Sequence, residues 1–314
     1  MHHVDMLSRR RFVQMNAGAF AAGWIGALAA AESKSAPSLH LASNEFSWQA
    51  FYRRDNRNFS QQLDAGIQDV AASGLNGLEP LVVDDKQLEA MIPLLKQHGL
   101  EMRSLYVNST LHLQEQVEPS IAKVLGIAAR AKLAGTQIIV TNPKPIKWGG
   151  TEDKNDAQLM VQAAALNQLG RKLAAMGLTL AYHNHDSELR NAAREFHHML
   201  VATDPKFVTF CLDAHWIYRG SGNSNVALFD VVKLHGKRVT ELHLRQSING
   251  VWAETFGAGD IDYAALAEEL KGLGIRPHLV LEQAPEKGTP KTLDPVEAHH
   301  RSLEYARRVM ACWG

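Results

Sequence analysis

One pattern governs this chain from Leu39 onward. A short, almost wholly apolar run is followed by a segment with helical spacing, and the pair recurs eight times. The runs fall at 39–44, 75–83, 100–107, 137–141, 178–183, 207–212, 238–244 and 278–282. Helical segments are expected at 59–72, 85–98, 118–133, 156–176, 192–202, 226–234 and 263–273, and in a last helix with Asp294 as N-cap and Pro295 at its first position. Several of these helices close on a glycine (Gly74, Gly99, Gly135, Gly177, Gly274), the usual residue just past a helix end. Strands that read as apolar runs rather than alternations are buried on both faces, which means a parallel sheet covered by helices. Eight such units predict a single (β/α)8 barrel over residues 38–314. An open doubly wound sheet would call for a glycine-rich loop after the first strand, and that position reads Glu45-Phe46-Ser47-Trp48.

Residues 1–31 stand apart. Ser8-Arg9-Arg10-Arg11-Phe12-Val13-Gln14 precedes a weakly apolar stretch rich in Ala and Gly that ends at Ala29-Ala30-Ala31. The segment resembles a twin-arginine signal peptide, which implies export of a folded protein to the periplasm. Its apolar part is short and interrupted by glycine, so no stable membrane anchor is expected after cleavage. Cys211 lies in a strongly apolar run and Cys312 near the C-terminus, and they read as two separate thiols.

Charge excludes one class of partner. The 33 Lys and Arg balance 33 Asp and Glu, so an electrostatic nucleic-acid binder is not expected. The 15 histidines are the unusual feature, because imidazole is the commonest metal ligand. Barrel enzymes place their chemistry at the C-terminal ends of the strands. Those ends carry Glu79, Asn108, Asn142, His183-Asn184-His185-Asp186, Asp213-Ala214-His215-Trp216, His243 and Glu282. A lone strand-end histidine is more often a hydrogen-bonded structural residue, and a lone aspartate more often a cap. Glu282 is different, because a carboxylate ending the run Leu279-Val280-Leu281 needs a partner. Asp213, His243 and Glu282 converge by barrel geometry, and the set is that of a divalent metal centre: Mn, Zn, Co or Fe. His197-His198 and His299-His300 fall on outer helices, where sequence neighbours do not share a face.

The stretches Ala181–Asp186, Cys211–Trp216, Glu241–Leu244, Gly257–Asp262 and Leu281-Glu282, with Gly77-Leu78-Glu79 earlier, resemble the xylose isomerase-like TIM barrels. That group includes sugar phosphate isomerases/epimerases, inosose dehydratase and endonuclease IV. The resemblance implies that Asp213, His243 and Glu282 hold the metal. The family's strand-five glutamate falls at or near His183, so either His183 or His185 is expected as the fourth ligand, with the other facing substrate. It further implies an isomerase or epimerase acting on a sugar or polyol, by proton abstraction next to a carbonyl. Glu282 would be one acid/base, and a histidine, His183 or His185, its counterpart. A lyase or hydrolase acting on keto-glycosides or keto-polyols begins with the same abstraction and is the alternative. An endonuclease IV-like nuclease and a non-catalytic sugar-binding barrel rank below both. Substrate contacts are expected from Glu79, Asn108, His215, Trp216, Arg219, Arg245 and Trp252, with Trp48, Tyr106 and Trp148 as further stacking surfaces. A homo-oligomer is compatible with the sequence.

Overall fold

The computed structural model describes residues 39–314. The signal-peptide reading of residues 1–31 lies outside the described residues. Eight parallel strands are labelled here β1 (Leu41–Asn44), β2 (Gly77–Glu79), β3 (Ser104–Tyr106), β4 (Ile138–Thr141), β5 (Thr179–His183), β6 (Val208–Asp213), β7 (Val239–Leu244) and β8 (His278–Leu281). Their order is β2-β1-β8-β7-β6-β5-β4-β3, with each neighbouring pair parallel. The two ends of that order meet through the single bridges Gly77↔Glu101 and Leu81↔Tyr106. The sheet thereby curls into a (β/α)8 barrel, as the eightfold pattern predicted.

Ten helices surround it among the described residues: α1 (Glu45–Arg54), α2 (Leu63–Ala72), α3 (Asp85–Gln97), α4 (Gln114–Leu133), α5 (Asp156–Ala175), α6 (Arg190–Ala202), α7 (Ala214–Gly220), α8 (Asn225–His235), α9 (Tyr263–Gly272) and α10 (Pro295–Val309). None of the described helices is long and apolar enough to cross a membrane. Side chains alternate along each strand, and this splits the interior into two cores. Leu41, Leu78, Leu105, Ile139, Leu180, Phe210, Leu212, Leu242, Leu279 and Leu281 belong to the large apolar cluster that the helices cover. Tyr106, Val140, Ala181 and Cys211 form a small second cluster inside the barrel. Above it the inward positions are polar.

Two helices were not legible as apolar runs. α1 follows β1 and α7 follows β6 with no loop between, because the last strand residue caps the helix. Asn44 Oδ1 accepts from Phe46 N at 2.8 Å and Asp213 Oδ1 from Trp216 N at 2.9 Å, meeting amides that a helix start leaves unpaired. A short hairpin, Ser247–Ile248 with Val251–Trp252, was also not anticipated. Asn249 and Gly250 supply the positive φ that its two-residue turn requires. Asp294 caps α10 with Pro295 in the first turn, as the sequence indicated. Cys211 and Cys312 are both free thiols.

Candidate active site

Strand register sets the floor of the site. His183 lies beside Cys211 on the neighbouring strand, and Asp213 lies beside His243. Asn184 fixes the relative height of these strand ends, since its side chain donates to Asp213 O and accepts from Asp213 N, both at 3.3 Å. Glu282 follows β8, and its amide donates to Leu244 O at 2.9 Å. One ligand atom each from His183, Asp213, His243 and Glu282 lies within 4.8 Å of all the others. All four side chains are buried.

Hydrogen bonds dictate which atoms remain available. His183 Nδ1 lies 3.6 Å from Cys211 Sγ, whereas its Nε2 has no partner among the described residues. Asp213 spends Oδ1 on the α7 cap and leaves Oδ2 without a hydrogen bond. His243 Nδ1 faces Glu282 Oε2 at 2.7 Å. Two nitrogens and two carboxylates on four adjacent strands are a donor set that fits a divalent transition metal. The four residues therefore fit the ion that the resemblance implies. His185 does not belong to this cluster.

A second layer lies below. His243 Nε2 is 2.9 Å from Glu241 Oε1 and 3.2 Å from Glu79 Oε1, and Asn44 Nδ2 donates to Glu79 Oε1 at 2.6 Å. Glu79 and Glu241 are fully buried, so Glu79 backs His243 rather than lining the cavity. Glu241, which a strand-end pattern does not single out, lies two residues before His243 on β7, and this puts both on the inward face.

Electrostatics separates the carboxylates. Burial pushes the Glu241 carboxyl up to about 8 and that of Asp213 up to about 7, with Arg245 restraining the second. Burial would also raise Glu282, but Arg245 and His243 beside it hold it well below the ordinary range. Among the imidazoles, burial lowers His183, His185 and, to about 2, His215. Burial thus disfavours the charged form of all three rings, and each keeps one ring nitrogen without a partner among the described residues.

Above the cluster is a cavity of about 200 Å³ whose walls include Tyr106, Asn108, Trp148, His185, Trp216, Arg245 and Glu282. His185 forms one wall, between Trp148 at 5.1 Å and Trp216 at 5.5 Å, with Nδ1 unpartnered among the described residues. Its backbone N–H is anchored by Glu188 Oε2 at 2.7 Å, another buried residue the sequence did not flag. Tyr106, Asn108 and Leu81 are shared with a hollow of about 510 Å³ over Glu45, Gln49 and Gln87, so the two spaces adjoin.

The other expected contacts are distributed unevenly. Trp252 and Trp216 pack against the Arg245 guanidinium, at 4.2 and 5.1 Å from its central carbon. His215 is buried and bonds Ser247 Oγ at 3.0 Å. Arg219 is taken up by Glu286, at 2.7 and 2.9 Å, and by Gly250 O. Trp48 is buried under α10, stacked on His299 at 3.8 Å.

Fold and site together define a barrel with a mixed imidazole–carboxylate cluster at the C-terminal mouth. Residues 67–308 match the sequence profile of the xylose isomerase-like TIM barrel, and the chain belongs to that family. An inosose dehydratase from Mesomycoplasma hyopneumoniae (strain 7448) is 21% identical over 271 residues, covering 79% of this chain and 89% of its own. Among solved structures, a sugar phosphate isomerase/epimerase from Parabacteroides distasonis superposes with a TM-score of 0.66 at 17% identity, over 88% of this chain and 96% of that one. The 3-keto-D-glucoside 4-epimerase from E. coli gives 0.63 at 15% identity, over 86% and 100%.

Proposed function

We propose that this protein is a divalent-metal-dependent enzyme of the isomerase/epimerase type, abstracting a proton next to the carbonyl of a sugar or polyol. The observation that carries this reading is the placement of Glu282 and His185 on the walls of one small cavity that adjoins the four candidate ligands. His183, Asp213, His243 and Glu282 are the residues assigned to hold the ion. Bound there, it would supply Lewis-acid polarisation of the substrate carbonyl.

The protein's own groups account for the proton. His185 presents a neutral ring with a free Nδ1 to the cavity, so it can take a proton from the carbon beside the carbonyl. Glu282 is kept ionised by its two cationic neighbours and exchanges protons on its side of the cavity. Trp148 and Trp216 flank His185 and offer apolar faces to a sugar ring. Asn108 adds a hydroxyl-binding amide.

One feature favours lyase chemistry as a second reading. An imidazole facing an anchored carboxylate is an asymmetric pair, suited to removing a proton from one carbon while a group departs from its neighbour. The relative named inosose dehydratase agrees with that reading, and the adjoining 510 Å³ hollow has room for a departing aglycone. Residues 8–31 carry the further proposal that the enzyme is exported to the periplasm.

Incubation with keto-sugars and keto-glycosides in D₂O separates the alternatives. Deuterium at a retained carbon identifies an isomerase or epimerase; release of water or an aglycone identifies a lyase. Glu282→Gln is expected to lower kcat/KM by about 10²–10⁴, the usual share of a general acid or base. Unchanged turnover in that variant would falsify the assignment.

A further inference from the structure

Arg245 is an unusual neighbour for a cation site. It lies two residues past His243, its side chain is wholly buried, and its guanidinium reaches both acidic ligands. Nη2 is 2.7 Å from Glu282 Oε1, Nε donates to Glu282 O at 2.9 Å, and Nη1 is 3.9 Å from Asp213 Oδ2. That last oxygen is the one the α7 cap leaves without a hydrogen bond. The guanidinium also packs on Trp252 and Trp216, which hold it by cation–π attraction in a dry setting.

We infer that Arg245 competes with the divalent ion for Asp213 and Glu282, and that this competition sets the affinity of the site. The inference rests on the metal-binding reading above. Two carboxyl side chains, Asp213 and Glu282, stand between two claims on their oxygens. A fixed guanidinium within ion-pair distance of both already engages some of these. A dication in the same cluster meets like-charge repulsion that burial strengthens. Relief comes if the guanidinium shifts toward the neighbouring cavity, whose wall it already forms, or if the ion binds weakly. In either case Arg245 lowers the affinity of the site and, as a lining residue of the cavity, couples ion binding to that space.

Calorimetric titration of the whole chain with Mn²⁺ alone tests this without any substrate. Arg245→Met keeps the length and apolar stem of the side chain while removing the charge. It is expected to bind Mn²⁺ at least about tenfold more tightly than the unaltered protein, with the same stoichiometry. Arg245→Lys keeps a charge without the planar fork, so a smaller gain is expected; it carries the test should Arg245→Met fail to fold, as judged by circular dichroism. Equal or weaker binding by folded variants overturns the role of Arg245 and leaves the metal reading standing. Absence of Mn²⁺ binding in every form at millimolar ion overturns both.

Discussion

Both ring nitrogens of His243 face carboxylates, Nδ1 toward Glu282 and Nε2 toward Glu241 and Glu79. A metal-binding imidazole commonly donates its second N–H to a carboxylate, which fixes the ring and makes the coordinating nitrogen more basic. With an ion bound as proposed, His243 would give up its Nδ1 proton to coordinate and keep Nε2–H directed at Glu79 and Glu241. Glu79→Gln should therefore fold normally yet weaken Mn²⁺ binding by about 10–100-fold, measured by titration calorimetry. Affinity within twofold of the unaltered protein would remove Glu79 from any role behind His243. At this scale the sequence was legible where a polar residue interrupts an apolar run, as at Asp213, His243 and Glu282. It was not legible where the partner sits on another strand, as with Glu79 behind His243. Nor could it separate His183 from His185. Both follow the inward parity of β5, and only the rise of the strand distinguishes the deep ring beside Cys211 from the one lining the cavity.

Elements carry two devices that tie stability to the site. Asp213 caps α7 through Oδ1 and turns Oδ2 toward the ligand cluster, so one side chain serves a helix and a site. Substitution can separate the two roles. Asp213→Asn keeps a good cap and should melt close to the unaltered protein while losing metal affinity, whereas Asp213→Ala should also lose about 0.5–2 kcal/mol of stability. Equal melting of the two variants would remove the cap from the account. The second device is Glu254, whose carboxylate accepts from Arg54, Thr292 and Leu293 and pins the segment leading into α10. Burial would raise this carboxyl, but the bonds from Thr292, Leu293 and Arg54 bring it below its ordinary value of 4.5. A carboxyl depressed on folding stabilises the protein above its unfolded pKa, and the contribution fades as pH falls through the lower folded value. Thermal melts from pH 6 to 3 should show Glu254→Gln already destabilised at pH 6, with the gap to the unaltered protein closing toward pH 3. A gap constant with pH would mean that the charge of Glu254 contributes nothing. The strand–helix alternation made most elements readable from apolar spacing. α1 and α7 escaped because a helix beginning directly on a strand leaves no loop composition to signal it.

The whole barrel is uneven around its circumference. From β4 to β8 each strand pairs with its neighbour over at least four register positions, whereas β2 and β3 meet only at Gly77↔Glu101 and Leu81↔Tyr106. That seam rests on the backbone bonds Leu78 N→Glu101 O, Glu101 N→Asn76 O, Tyr106 N→Pro80 O and Val82 N→Tyr106 O. Proline at position 80 has no amide to add another. The strands approach so closely that a β-carbon on Gly77 would lie 2.4 Å from Glu101 O, so glycine is required there. Sequence patterning fixes the number of units but says little about how firmly each pair closes, since closure depends on backbone distances rather than on apolar content. Local opening draws on the least supported backbone bonds first, and these border Tyr106 and Leu81, which line the site. Native-state hydrogen exchange should therefore find the amides of Leu78, Glu101 and Tyr106 opening at lower free energy than those of Leu212 or Leu242. Gly77→Ala, by forcing the seam apart, should lower stability by about 1–3 kcal/mol and speed exchange at those three amides most. Uniform protection around the barrel, or a Gly77→Ala effect spread equally over β5–β7, would show instead that the barrel opens as a single unit.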